Sequence, residues 1–262
     1  MLRVDGHCHL GHGIRRSVSA RVLLKEMDRH GIDQAVVCSV DQFLAVDNRE
    51  GNDLIAQTVK KHPDRLIGFA SVNPWYGLAA VDELKRSLDQ GLRGLKLNPF
   101  IQGFCITDEV VLPLVEVAAD YGIPVYCHTG TPVGALPLQL ADLAVRFPNV
   151  NFIVGHMGSA DFVDEVIPAM EVAGNLFAET SKVQNCQLLK RVIERFGAER
   201  VIFGTNYPNS SYGVELEKMA LLDLTPDIQG WVLGRSILRL IGPGPGCGND
   251  VHAVQFLRED VG

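Results

Sequence analysis

The sequence predicts a single-domain α/β protein, a distorted (β/α)₈ or TIM barrel, over residues 1–242. Short β-rich runs start at intervals of roughly 25 to 32 residues, the spacing of one strand, one helix and two loops. Runs with helical periodicity fill the intervals, and alternating strands and helices favour a parallel sheet. The length of 262 residues also suits one such barrel, which typically takes about 250 residues.

Eight runs are the predicted strands, at residues 4–10, 34–40, 66–72, 93–98, 124–129, 151–156, 176–180 and 200–205. Several are nearly all apolar, including 35–38 and 201–203, as expected of strands that are buried on both faces. Eight cycles fit a closed barrel better than an open doubly wound sheet. An open sheet would also usually show a glycine-rich phosphate loop after an early strand, and the sequence has none there.

Helical stripes precede glycines that are suited to ending a helix. The run 22–27 precedes Gly31, 79–88 precedes Gly91 and 110–121 precedes Gly122. Further helices are predicted at 138–147, 162–173, 188–196, 214–222 and 228–241.

The C-terminal residues 243–262 are predicted to be a Gly/Pro-rich linker followed by a tail. Glycine and proline at nearly every position from 242 to 248 break regular structure. The glycine spacing there has no strand before it and no βαβ unit around it, so it does not indicate a dinucleotide site.

Composition limits the classes of partner. The net charge is -7, from 24 basic and 31 acidic residues, and no basic run appears, so binding to nucleic acid or an anionic membrane is not expected. No apolar run approaches the ~18 residues of a membrane span. Six cysteines without a C-x-x-C pair indicate free thiols. Because the N-terminus also lacks a signal-peptide pattern, we expect a cytoplasmic protein; a homo-oligomer stays open.

Four of the eight histidines fall at the C-terminal ends of predicted strands: His7 and His9 in strand one, His128 in strand five and His156 in strand six. In an α/β barrel this end carries the active site. Strand residues i and i+2 share a face, so His7 and His9 would point into the barrel mouth together while Cys8 points to the helix layer. With His128 they would form a three-imidazole face for a metal such as zinc, whose bound water becomes hydroxide near neutral pH.

Each histidine taken singly is also compatible with a solvated or capping role. His12 would be a loop residue near the pocket, and His30, His62 and His252 are interpreted as structural because they lie at helix ends or in the tail. The functional interpretation depends on the four strand-end histidines occurring together.

These residues belong to motifs that resemble the amidohydrolase-related family, which includes aminocarboxymuconate-semialdehyde decarboxylase, aromatic-acid decarboxylases and lactone hydrolases. The resemblance spans about residues 3–241. It implies that His7, His9 and His128 are metal ligands and that His156 is the acid/base or electrophile-orienting histidine. The motifs that carry it are Asp5-Gly6-His7-Cys8-His9, Gly94-Leu95-Lys96-Leu97-Asn98-Pro99, Cys127-His128-Thr129-Gly130, Gly155-His156-Met157-Gly158 and Phe203-Gly204-Thr205-Asn206-Tyr207-Pro208.

The sequence departs from the family at Asn206, where the family has a metal-binding aspartate that handles the proton of the bound water. Asparagine offers a neutral carbonyl oxygen and cannot take a proton, and a general base is typically worth 10²–10⁴-fold. Three explanations stay open: a branch with altered chemistry, a deliberate substitution that traps a ligand, or a loss of catalysis. Asn206 and His156 are the catalytic candidates.

The candidate substrate-binding residues are Arg15, Arg16, Lys96, Asn98, Trp75 and Tyr207. The arginines follow strand one, where a guanidinium can bind a carboxylate bidentately, although solvated loop arginines are an equal alternative. The family often has histidine in place of Asn98. Lys96 is either a charge that lines the pocket or a carboxylated bridge between two metals. Aromatic residues in the predicted loops, Trp75 and Tyr207 among them, would wall the pocket around a small, carboxylated substrate.

The leading functional prediction is therefore a metal-dependent hydrolase that uses metal-activated water on a small-molecule substrate. The expected cofactor is a divalent metal, zinc first, with manganese, magnesium and iron open. The alternatives are a non-oxidative decarboxylase at the same site and a catalytically silent binding barrel. A nucleophilic hydrolase is disfavoured because the sequence has no G-x-S-x-G elbow.

Overall fold

A computed structural model describes residues 1–130, 133–159 and 161–242 of the chain. The predicted linker and tail at 243–262 lie outside the described residues. Within the described part, no helix has the length and apolarity needed to cross a bilayer.

The strands confirm the predicted parallel barrel. In chain order they are β1 (Val4–His12), β2 (Ser17–Val18), β3 (Gln34–Ser39), β4 (Leu66–Gly68), β5 (Ala70–Ser71), β6 (Leu95–Leu97), β7 (Val125–His128), β8 (Phe152–Gly155), β9 (Leu176–Glu179) and β10 (Val201–Ile202). All neighbouring pairs are parallel except β1 with β2, which form a short antiparallel hairpin at the mouth. Each of the eight predicted strands is present, with shorter ends in most cases.

The third predicted strand is interrupted at Phe69, and this residue joins the two hydrogen-bonded sheets. Phe69 N donates to Val37 O on β3, and the next amide, Ala70 N, donates to Gly94 O before β6. The sheet β2-β1-β3-β4 therefore continues into β5-β6-β7-β8-β9-β10.

Backbone bonds between the end of β10 and β1 close the barrel. Gly6 N donates to Phe203 O at 2.8 Å, Asn206 N to His7 O at 2.7 Å and His9 N to Tyr207 O at 2.9 Å. The segment after β10 thus runs beside β1 and brings Asn206 next to the two histidines of that strand.

The helices pack outside the sheet. The α-helices are α1 (Ala20–His30), α2 (Asp41–Ala45), α3 (Asn48–Lys61), α4 (Leu78–Asp89), α5 (Pro99–Gln102), α6 (Leu112–Tyr121), α7 (Pro137–Arg146), α8 (Val166–Val172), α9 (Cys186–Phe196), α10 (Tyr212–Leu221), α11 (Pro226–Gly230) and α12 (Ser236–Ile241). As predicted, Gly31 and Gly122 end α1 and α6 in the left-handed conformation, which costs glycine nothing. The predicted helix 228–241 begins at Pro226 and contains the π-helical segment Trp231–Arg235.

Helix α3 has no counterpart among the sequence predictions, because its buried face carries polar and small residues. Asn52 is 1% exposed, and its Nδ2 donates to Ser71 O and Glu83 Oε1. Gly51 packs so closely that a Cβ there would lie 2.7 Å from Phe43 Cβ. Neither residue contributes to an apolar stripe, which weakens the pattern that identifies a helix from sequence, although Ile55 is buried on the same face.

Two apolar layers result from the alternation of side chains along each strand. On β3, Val36 and Cys38 belong to a cluster inside the barrel, whereas Ala35 and Val37 pack against the helices. On β1, Cys8 joins the helix-side layer, as predicted, and its Sγ donates to Val36 O. The side chains of His7 and His9 therefore have the inward orientation.

The buried carboxylate of Asp5 stabilises the closure of the barrel. Asp5 is 0% exposed; its Oδ1 accepts from His7 N at 3.0 Å and Thr205 N at 2.9 Å, and its Oδ2 accepts from Thr205 Oγ1 at 2.6 Å. Burial raises the pKa of Asp5 to about 7, against the opposing effect of these hydrogen bonds. Asp5 thus ties the start of β1 to the segment that carries Asn206.

The Thr205→Val variant is expected to lower the free energy of unfolding by about 1–3 kcal/mol, because it leaves a buried oxygen of Asp5 without its shortest donor. Urea denaturation followed by circular dichroism measures the change. The Thr205→Ser variant keeps the hydroxyl and is the control. Equal stability of the valine variant and the parent would show that the bond contributes nothing to closure.

Candidate metal centre and active site

A cavity of about 860 Å³ opens at the C-terminal ends of the strands, where a barrel of this kind carries its active site. It brings together most of the predicted site residues. The lining includes His7, His9, His128, Arg15, Arg16, Lys96, Asn98 and Asn206, and also Phe100, one of the aromatic residues in the predicted loops. Asp41, Ser159, Lys182 and Asn209 line it as well, and sequence reasoning did not single them out.

Trp75 and Tyr207 are not among the lining residues, which corrects the prediction that they wall the pocket. Trp75 is 57% exposed, and its Nε1 donates to Gly103 O. The Tyr207 ring packs 5.4 Å from the ring of Tyr212. Sequence alone places both in βα loops but cannot say which way a loop side chain turns.

His7 pairs with Lys96 at the floor of the cavity. Both are almost completely buried, and Lys96 Nζ lies 3.4 Å from His7 Nε2. An ammonium group only donates, so His7 Nε2 is the acceptor and carries a lone pair. Burial lowers the pKa of Lys96 to about 8, and burial and the Lys96 charge hold the pKa of His7 well below its usual value.

Tyr126 supports this pair from one side. Its ring lies 4.2 Å from the His7 ring, and Lys96 Nζ lies 3.6 Å from the Tyr126 ring centre. An ammonium over an aromatic face is attracted by the ring quadrupole. These ring contacts fix the orientation of His7 Nε2 and of Lys96 Nζ.

Each ring nitrogen of His9 lies next to a carbonyl oxygen that can accept a hydrogen bond. Its Nδ1 lies 3.0 Å from Ser39 O, and its Nε2 lies 3.1 Å from Asn206 Oδ1. Burial, followed by the Lys96 charge, lowers the pKa of His9 to about 4, so at neutral pH the ring carries one proton. When that proton lies on Nδ1 and is donated to Ser39 O, the lone pairs of His9 Nε2 and Asn206 Oδ1 face each other. A cation bound between these two atoms would stabilise this arrangement.

His128 and His156 complete a contiguous group of four imidazoles. The ring of His156 lies 4.8 Å from that of His128 and 5.7 Å from that of His7, and the His7 and His9 rings lie 4.8 Å apart. Burial and the Lys96 charge lower the pKa of His128 to about 3. His156 lies against the lining histidines rather than in the lining, and its buried Nε2 has no partner among the described residues.

Glu179 and Ser181 lie behind His156, and sequence reasoning missed both. Glu179 ends β9 and is 0% exposed. Burial raises its pKa despite hydrogen bonds from Tyr126, Ser181 and His156. The signal was available in the sequence, since an acidic residue ends the apolar run 176–180 at the active-site end.

The donor set fits a divalent metal. Imidazole nitrogens kept neutral by burial are good ligands for zinc and related ions, and the lone pair of His7 Nε2 is now paired with an ammonium cation. The 3.1 Å between His9 Nε2 and Asn206 Oδ1 matches two ligands that each lie about 2.0–2.2 Å from one ion.

Cys38 is a second possible ligand. Among the described residues, the ligand atoms of His7, His9 and Cys38 lie within 4.8 Å of one another. However, Cys38 Sγ contacts His9 Nδ1, the nitrogen directed at Ser39 O rather than at Asn206, and Cys38 is not a lining residue. Burial raises the pKa of Cys38 to about 11, which keeps it a neutral thiol.

The charge of the cavity is positive. Among the described residues, Arg15, Arg16, Lys96 and Lys182 line it against one carboxylate, that of Asp41. Asp41 Oδ2 accepts from the backbone amides of Arg15 and Arg16, so this carboxylate holds the loop that carries the two arginines.

The family model and the similar proteins point to the same family. A model of the amidohydrolase family matches residues 4–242. The gamma-resorcylate decarboxylase of Rhodococcus jostii (strain RHA1) is 26% identical over 258 residues, which covers 71% of this chain and 76% of that protein. The 2-amino-3-carboxymuconate-6-semialdehyde decarboxylase of Dictyostelium discoideum is 24% identical over 238 residues, covering 71% and 66%.

A solved structure shows the same fold. A dihydroxybenzoic acid decarboxylase from Polaromonas, with bound manganese and the inhibitor 2-nitroresorcinol, superposes with a TM-score of 0.74 at 17% identity. The match covers 92% of this chain and 96% of that one.

We expect the purified protein to retain about one divalent ion per chain, as in mononuclear sites with three protein ligands. The His7→Ala and His128→Ala variants should lose it because each removes a predicted imidazole ligand, whereas His62→Ala and Cys38→Ser should keep it. Elemental analysis after gel filtration measures the stoichiometry. Retention in His128→Ala with loss in Cys38→Ser would replace the three-histidine set by the set that includes the thiol.

Proposed function

Since the chain belongs to the amidohydrolase family, whose model matches residues 4–242, we propose that it is a metal-dependent decarboxylase of a small, hydroxyl-substituted aromatic or unsaturated acid. From the sequence alone, hydrolysis is the leading prediction and decarboxylation an alternative. The decarboxylases among the relatives favour the second, while hydrolysis has support only at the level of the family.

The observation that carries the proposal is the charge of the cavity. Four cationic side chains, Arg15, Arg16, Lys96 and Lys182, line the same cavity as His7, His9 and His128, and the metal would add further positive charge. Lys96 is buried, so its charge is poorly screened, whereas the exposed Arg15 and Lys182 at the mouth act on an anion through solvent. Together they favour an anion in this cavity. A substrate carboxylate offers that anion, and Arg15 and Arg16 can hold it in bidentate fashion.

Asn206 is easier to reconcile with decarboxylation than with hydrolysis. Hydrolysis needs a group that accepts the proton of the attacking water, and an amide cannot do so. Decarboxylation consumes no water and needs instead a proton for the carbon that loses CO₂. Asn206 Oδ1 remains useful as a neutral ligand or as an acceptor that orients the substrate beside His9.

We assign His7, His9 and His128 as the metal ligands and His156 as the group that moves the proton. When bound, the metal supplies electrostatic stabilisation of the substrate oxygens. Zinc suits the imidazole set, and manganese is supported by the Polaromonas protein. Lys96 and Asn98 also line the cavity and would contact the polar groups of the substrate.

The reaction balances without a further reagent. The bond between the ring carbon and the carboxylate breaks, its electron pair stays on the carbon, and CO₂ leaves. The carbon then takes one proton, which His156 Nε2 would accept from solvent and deliver to the carbon, so that each turnover consumes one solvent proton. The product is the substrate with hydrogen in place of the carboxylate.

Protein loaded with Mn²⁺ or Zn²⁺ is expected to release CO₂ from gamma-resorcylate or a related hydroxybenzoate, and 2-nitroresorcinol should inhibit it. Trapped CO₂ and chromatography of the ring product measure the reaction, with a lactone and amide panel run in parallel. The His128→Ala variant, which removes a ligand, is the inactive control.

Two outcomes would overturn the proposal. Hydrolysis of a lactone or amide without CO₂ release from any acid would return the site to the hydrolase interpretation. An inert parent together with an active Asn206→Asp variant would identify a catalytically silent binding barrel, because only the restored carboxylate can act as a base.

The Arg16→Ala variant should raise KM for an acidic substrate by about 10- to 100-fold, the effect of losing a charge-assisted hydrogen bond of about 1.5–3 kcal/mol. Arg21→Ala on the exposed face of α1 is the control and should leave KM unchanged. Steady-state kinetics at fixed ionic strength give both values. An unchanged KM in Arg16→Ala would mean that the arginine is only a solvated loop residue.

A further inference from the structure

We propose that Ser181 and Glu179 are positioning residues that keep the proton of His156 on Nδ1 and leave its Nε2 as a free lone pair. The consequence for turnover depends on the proposed function, in which His156 Nε2 moves a proton. The orientation itself depends only on the hydrogen bonds of the three side chains.

The direction of the hydrogen bonds is set by Glu179. Its Oε2 accepts from Tyr126 OH at 2.7 Å, from Ser181 Oγ at 2.9 Å and from His156 N at 3.1 Å, and its Oε1 accepts from Ser181 N at 2.6 Å. Two of these donors are backbone amides, which cannot accept. A carboxylate that faces four donors accepts each of these hydrogen bonds. Glu179 is therefore the final acceptor of the hydrogen-bond chain that runs from His156 through Ser181.

Ser181 then fixes the histidine. A hydroxyl has one proton, and Ser181 gives it to Glu179 Oε2. Towards His156 Nδ1, 2.7 Å away, Ser181 Oγ can only accept. The imidazole therefore donates from Nδ1, and in the neutral ring this places the lone pair on Nε2.

Close packing holds these three side chains, the His156–Ser181–Glu179 relay, in place. A Cβ at Gly204 would lie 2.3 Å from Glu179 Oε1, so the backbone after β10 approaches the carboxylate as closely as only glycine allows. His156 itself has a positive φ of 66°, and its backbone N donates to Glu179 Oε2 at 3.1 Å. Glu179 thus contacts both the backbone nitrogen and the ring Nδ1 of His156.

The relay also prepares the ring to take up a proton. Glu179 Oε2 lies 3.4 Å from His156 Nδ1, so an imidazolium at this position would face a carboxylate. His156 Nε2 is buried and has no partner among the described residues, so no other group competes for its lone pair. The structure thereby provides an acceptor nitrogen next to the rings of His7 and His128.

The test is the tautomer of His156, read from long-range ¹H–¹⁵N correlation spectra of histidine-labelled, zinc-loaded protein. The His156→Gln variant identifies the signals by their loss. The parent should show a protonated Nδ1 and an unprotonated Nε2. In Ser181→Ala the Nε2–H form should appear, and Ser181→Thr should restore the parent pattern. A parent with its proton on Nε2 would overturn the proposal without any variant.

Kinetics separate positioning from simple structural damage. Ser181→Ala should lower kcat by about 10- to 100-fold, the usual effect of removing such an orienting partner, with KM changed by less than about twofold because substrate contacts remain. Ser236→Ala, which removes another buried hydroxyl that donates to Ala198 O at 2.9 Å, should leave kcat and the His156 tautomer unchanged.

An unchanged tautomer and kcat in Ser181→Ala would overturn the proposal. The spectra need no substrate, so they decide the orientation of His156 even if the parent turns over no acid. A confirmed tautomer in an inactive parent would count against the proposed function and not against the relay.

Discussion

The active-site end of the molecule depends on one constraint, the closure of the barrel between β1 and the segment after β10. Asp5 binds Thr205 through both of its oxygens, and Asn206 N donates to His7 O. These bonds set Asn206 Oδ1 beside His9 Nε2, although the two residues are 197 positions apart. Strand alternation then points His7 and His9 inward together. A shift of one residue in this register would send both imidazoles into the helix layer.

Burial gives this arrangement its chemical character. Four imidazoles packed within ring contact cannot all be charged, and burial lowers the pKa of each. They therefore present lone pairs rather than charges. The cations of the site are instead Lys96 and the side chains of the cavity wall. The imidazole lone pairs at the floor favour a metal there, and Lys96 together with the cations of the wall favours an acidic molecule beside it, as the proposed function requires.

Strand periodicity accounts for the features that could be predicted from the sequence. The spacing of His7 and His9, the strand-end positions of His128 and His156, and the outward Cys8 all depend on regular geometry. Glu179 has a local signal, an acidic residue at the end of an apolar strand, but its contacts with neighbouring strands and the role of Ser181 leave no local pattern. Trp75 and Tyr207 were assigned to the pocket from loop position alone, and side-chain direction in a loop depends on packing that the sequence does not display. Cys38 reaches His9 for the same reason that Glu179 reaches His156: parallel strands align their ends.

Asn206 can be understood from the same balance of charge. An aspartate there would add a negative charge beside His9 and offset one cationic side chain of the cavity, which would weaken the binding of the proposed acidic substrate. Asparagine keeps an oxygen at the same place without that charge, and what it gives up is the ability to take a proton from water. The unpartnered Nε2 of His156, with a carboxylate behind its other nitrogen, is the group in the described part of the chain best placed to supply that ability. In the proposed function, proton transfer would therefore fall to His156, on the other side of the histidine cluster, whose ring contacts Ser181 and Glu179.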